Sequence, residues 1–163
     1  MRKQKGFSLI ELLIVVAIIL IIAAIAIPNL MRSRMAANEA SAVGSVRTIN
    51  TAEVTYSSSY PDVGFTTTIA SLSGTTANCT GGTVATSAAS CLIDNVLGTG
   101  TKSGYTFVLG AGQATSTPQY TFSDTSSPVT LGTTGNRGFY SDQTGVIRGS
   151  PTGTATSASN PLQ

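Results

Sequence analysis

FSLIELLIVVAIILIIAAIAI, residues 7–27, decides how this chain is built: 21 residues carrying one charge, Glu11. At 1.5 Å per residue a helix of this length spans about 31 Å, enough for a hydrocarbon core of about 30 Å. Every face of such a helix is apolar, which suits lipid or complete burial rather than the surface of a globule. Arg2, Lys3 and Lys5 precede it with no acid among the first ten residues, so the positive-inside rule keeps the N-terminus cytoplasmic and exports the remainder. Arg32 and Arg34 on the far side weaken that bias without reversing it.

Composition divides the chain into two materials. Only 10% of the 163 residues are charged and 41% are hydrophobic, and the apolar excess is concentrated in the N-terminal run. The absence of His removes Ser-His-Asp and Cys-His nucleophile systems and His-ligated metals. The formal charge of +2 is too small to hold nucleic acid by bulk electrostatics.

Glu11 leaves two readings open. A carboxylate deep in a bilayer costs about 2.5–3.5 kcal/mol and marks a partner or a pathway; alternatively it snorkels to the cytoplasmic interface from the fifth position of the span. An ordinary secretory signal, with Ala24-Ile25-Ala26 as the A-x-A site, would release a secreted binding module. The run exceeds the usual 7–15 residue core of such signals and contains an acid, which favours retention.

Lys5-Gly6-Phe7-Ser8-Leu9-Ile10-Glu11-Leu12-Leu13-Ile14-Val15-Val16-Ala17-Ile18, followed by Ala26-Ile27-Pro28-Asn29, resembles the N-terminus of type IV prepilins and their pseudopilin relatives. The resemblance implies cleavage between Gly6 and Phe7 by a membrane-bound prepilin peptidase, N-methylation of Phe7 and polymerisation through the apolar helix. It also gives the acid at Glu11 the task of neutralising a neighbouring subunit's amino terminus. The physics agrees, because cleavage leaves one cation at the helix tip and one anion four residues along. A misaligned copy would bury an unpaired charge, which costs about 3–5 kcal/mol.

Pro28 removes a helical hydrogen bond and disfavours helical geometry at Ile27, so it ends or kinks the helix. Beyond it, Met35, Ala42, Val46, Ile49 and Tyr56 recur at helical spacing, predicting a kinked, continued helix with an amphipathic half. Ser57-Ser58-Ser59-Tyr60-Pro61 is expected to stop it. Strands are expected at 104–109, 119–123, 137–141 and 146–149, the last two joined as a hairpin across 142–145, with a short helical turn over 66–72. The fold class is therefore α+β: a long N-terminal helix, its first half transmembrane, packed on a small antiparallel β-sheet head in the pilin manner. The segments are a leader (1–6), a transmembrane and polymerisation helix (7–28), an amphipathic helix half (29–57), a globular sheet head (58–150) and a flexible tail (151–163). The run from Arg137 to Arg148 also looks like the last hairpin of some bacterial pilins.

Cys79 and Cys91 fall outside the cytoplasm in this topology, where a disulfide is the default and would contribute about 3 kcal/mol in the chain-entropy model. Its position departs from the C-terminal bridge of many pilins. The stretch from Gly98 to Ser103, GTGTKS, has a phosphate-loop flavour but carries Thr101 rather than Gly before Lys102 and lacks the strand-loop-helix setting. Asp62, Asp94, Asp124 and Asp142 are scattered and form no acidic loop, so neither a metal nor a cofactor is expected. No catalytic residue is expected either. The partners implied are copies of the same chain, a prepilin peptidase, the pilus assembly machinery and, before assembly, the inner membrane. A pseudopilin of type II secretion is the alternative.

Overall fold

The computed structural model describes residues 7–74, 79, 85–112 and 116–162. The leader expected at 1–6, with Gly6, therefore lies outside the described residues, as does Gln163. The chain falls into two compact units, one ending at Arg34 and the other running from Met35 to Gln163.

A single helix, α1 (Leu9–Ser59), contributes to both units. It passes through Pro28 rather than ending there, so the carbonyl of Ala24 forgoes its usual backbone partner. It ends at Ser59, inside the 57–61 stretch expected to stop it. The hydroxyls of Ser57 and Ser58 donate to the Val54 carbonyl at 3.0 and 2.9 Å, and Ser59 donates to that of Thr55 at 2.9 Å. Each hydroxyl thus bonds back within the helix instead of diverting the chain.

In the second unit the sheet is a meander. Strands β1 (Thr101–Lys102), β2 (Tyr105–Gly110), β3 (Ser123–Pro128), β4 (Gly138–Asp142), β5 (Arg148–Ser150) and β6 (Asn160–Pro161) lie in sequence order, every neighbouring pair antiparallel. The short helices α2 (Ile69–Leu72) and α3 (Asn95–Gly98) precede it. Ala42, Val46, Ile49, Ala52 and Tyr56 of α1 are buried in one cluster with Tyr105, Phe107, Leu109, Phe122 and Phe139. The helix is the second layer that a sheet this small lacks, each fully buried Val, Ile or Phe contributing about 1.5–3 kcal/mol relative to exposure. Glu39 ties the same helix to the turn before β4, its Oε1 accepting from Asn136 N at 2.9 Å and Arg137 N at 3.2 Å.

Three expectations need correction. The strand expected at 119–123 begins only at Ser123 and extends to Pro128. The Gln119 amide donates to the carbonyls of Ala111 and Thr121, both at 2.7 Å, which curls the chain ahead of the strand. The Ser- and Asp-rich β3 is instead held extended by β2 on one side and β4 on the other, tertiary pairing overriding weak local preference. The hairpin turn uses Gly145 at φ +72°, but its second strand starts at Arg148, two residues later than expected. The tail is tied to the sheet: β6 pairs with β5, Ala155 is buried, and Leu162 N donates to Ile147 O at 2.9 Å. Its few apolar side chains anchor it, and Gly138 and Gly153 let the backbones touch, because a Cβ on Gly138 would strike the Gly153 carbonyl.

Candidate assembly interface

From residue 7 to residue 34 every side chain except Ala23 is exposed. Leu9, Ile14, Ile18, Ile22 and Ile27 lie between 52% and 73% exposed, although they are among the most apolar residues in the chain. An apolar surface of this extent on a soluble globule would be an aggregation site; as part of a working molecule it marks contact with lipid or with other helices. Among the described residues α1 is the one helix long and apolar enough to cross a membrane, and none of that stretch is buried.

The start of the helix is built by two side chains that the sequence places together. Ser8 precedes the first helical residue, its carbonyl accepting from Leu12 N at 3.2 Å, while the Glu11 carboxylate reaches back to accept from Ser8 N at 2.9 Å. Ser8-Leu9-Ile10-Glu11 is thus half of a capping box, the Glu satisfying a donor that an α-helix leaves orphaned at its N-terminus. The negative charge also complements the positive end of the helix dipole. Sequence reading took Glu11 as a membrane acid and missed the cap, although the S-x-x-E spacing announces it. A carboxylate has room for more than one donor, so the cap leaves Glu11 capable of meeting an ammonium group.

Of the other residues singled out from the sequence, Phe7 is 77% exposed and lies just ahead of α1, and Pro28 sits within α1. Cys79 and Cys91 form the disulfide expected of them. Gly74 lies against both sulfurs, leaving no room for a Cβ, and Tyr56 donates from its hydroxyl to Ser87 O at 2.7 Å, so this crosslinked segment is also fixed to α1. The GTGTKS stretch is no phosphate loop: Thr101–Lys102 is β1, and Lys102 Nζ lies 2.8 Å from Asp94 Oδ2 in a half-exposed ion pair. That pair and the bond from Leu97 N hold the Asp94 carboxyl below its usual range.

Residues 1–27 match the family described as the prokaryotic N-terminal methylation motif. A 39-residue stretch is 64% identical to a protein of Thermus thermophilus named the type IV wide pilus major component PilA4. That alignment covers 24% of this chain and 30% of the relative, so the chain matches less than a third of the relative's length. No solved structure matches. The N-terminal segment thus carries the N-terminal methylation motif and is similar to a stretch of a protein named as a type IV pilus component, and the chain continues into an α+β head with an antiparallel sheet.

Proposed function

We propose that this chain is the precursor of a type IV pilus subunit. Prepilin peptidase cuts it after Gly6, Phe7 is N-methylated, and the product waits in the inner membrane until the assembly machinery draws it into an extracellular fibre. The observation that carries this reading is the contrast along α1, whose second half buries one face in the core of the head while its first half is exposed, apolar and headed by one carboxylate. Lipid covers that first half before assembly and sibling helices cover it afterwards. In the fibre the Phe7 ammonium of one subunit meets the Glu11 carboxylate of a neighbour, setting the stagger of the helices. The role is structural, serving adhesion, surface motility or DNA uptake. A pilus is favoured over a secretion pseudopilus by the relative that shares the segment, itself named a wide-pilus component.

Glu11→Ala separates insertion from assembly. Removing the acid lowers the cost of membrane insertion, by about 2.5–3.5 kcal/mol at the bilayer centre and less near the interface. The variant is therefore expected in membranes at wild-type levels or higher, while sheared fibres are lost. Wild-type fibre yield from Glu11→Ala would overturn the pairing role.

A further inference from the structure

Two carboxyl groups lie where no acid should be comfortable. Glu53 on α1 and Asp124 on β3 both have no exposed surface, and both lie in the head beneath the helix. Glu53 stands one turn beyond Asn50, whose Nδ2 donates to Ser141 Oγ at 2.8 Å, and Ser141 is the β4 partner of Asp124 in the sheet register. Ser126, two residues along β3 and hence on the same face as Asp124, is 1% exposed. Asn50 and Glu53 thus stand one turn apart on α1, Asp124 and Ser126 share the β3 face that carries the core, and Glu53 lies close enough to Asp124 to act on it electrostatically.

Their hydrogen bonding is incomplete in one consistent way. Glu53 Oε2 accepts from Thr66 N at 3.0 Å, but Glu53 Oε1, both oxygens of Asp124, Asn50 Oδ1 and Ser126 Oγ are buried without a hydrogen-bond partner. The remaining such side-chain atom among the described residues is Arg148 Nε. Arg148 pairs with Tyr140, and so belongs to the opposite face of the sheet from Ser141. Among the described residues no basic group offsets either acid: burial is the main force raising both carboxyls to about 8, with Glu53 also acting on Asp124.

We propose that Glu53, Asp124, Asn50 and Ser126 form an interior calcium site that fastens α1 to the sheet. Protons on both carboxyls would remove their charge and, each O–H donating once, could satisfy up to four of the five orphaned oxygens. An oxygen-seeking cation engages all five and cancels the charge of two carboxylates. Calcium takes six to eight oxygens in flexible geometry, whereas magnesium demands a stricter octahedron and gives up its water reluctantly, which suits a dry site poorly. Backbone carbonyls or water complete the shell. The ligands are drawn from α1 and β3, far apart in sequence, which is why scattered acids concealed the site.

The test uses the full-length chain in detergent, dialysed against chelator and then into CaCl2, MgCl2 or NaCl at matched ionic strength. Equilibrium dialysis with radioactive calcium is expected to give one ion per chain. The thermal midpoint of the tyrosine near-ultraviolet signal is expected to rise by several degrees in calcium and by less in the other salts. Glu53→Gln/Asp124→Asn, which keeps shape and removes charge, should lose both effects. If that variant does not fold, Ser126→Ala is expected to weaken calcium binding severalfold while leaving the fold intact. Tb3+ luminescence excited through Tyr56, which neighbours Glu53 electrostatically, should appear in the wild type and be quenched by calcium. Absence of stoichiometric calcium in the wild type, or undiminished binding in a folded variant, overturns the site and leaves a carboxyl pair that carries its own protons.

Discussion

Ile18 and Ile49 are the same side chain on the same helix, and truncating each to Ala should have opposite consequences. Ile49 has no exposed surface and belongs to the core cluster of the head, whereas Ile18 is 52% exposed in the isolated subunit. A buried Ile→Ala costs about 2–5 kcal/mol through lost transfer energy and the cavity left behind. For a unit of the head's length each kcal/mol moves the thermal midpoint by roughly 3–4 °C, so Ile49→Ala should lower it by about 10 °C. Ile18→Ala removes nothing from that core and should leave the midpoint within about 1 °C, its cost falling on helix packing in the fibre. All five tyrosines lie between Tyr56 and Tyr140 and there is no Trp, so near-ultraviolet circular dichroism of the full chain in detergent reads the head alone. Equal midpoint losses in the two variants, or no loss in Ile49→Ala, would refute the division of α1 into a core half and an assembly half.

Replacing both Cys79 and Cys91 by Ser should cost about 3 kcal/mol, the closure entropy of a loop with a sequence separation of 12; a urea melt at an unchanged midpoint contradicts that. In chelator, head stability should fall as pH rises. Burial holds Glu53 and Asp124 protonated up to about 8 in the folded head, against about 4 in an unfolded chain. The native state therefore keeps protons that the unfolded state releases, and a contribution fully present below about pH 4 is lost as pH climbs through about 8. A melting midpoint that stays level or climbs between pH 5 and 8 would contradict this sign.

The parts legible in the sequence are those governed by short-range pattern. An uninterrupted apolar run, the helical spacing of Ala42, Val46, Ile49 and Tyr56, and the aromatic residues of β2 and β4 each fix a local outcome from near neighbours. The Ser8–Glu11 cap is equally local and escaped notice because one residue invited two explanations. What could not be read was decided across the chain. The β3 sequence, SDTSSP, is extended because its neighbours pair with it, and Glu53 looks like one more polar residue of a helix until the sheet closes over it. The C-terminal residues 151–162 carry too little apolar pattern to announce order, yet one Ala, one Leu and two facing glycines suffice to hold them on β5 and β4.

On the proposed reading, the chain works only after a cut that exposes Phe7 as a new amino terminus at the head of an apolar helix. Intact mass and N-terminal sequencing of the protein recovered from fibres decide whether that cut is made. Loss of residues 1–6 and an added methyl group on Phe7 are predicted. A mature chain beginning at Ile27, as cleavage at the A-x-A site would leave it, would contradict the reading.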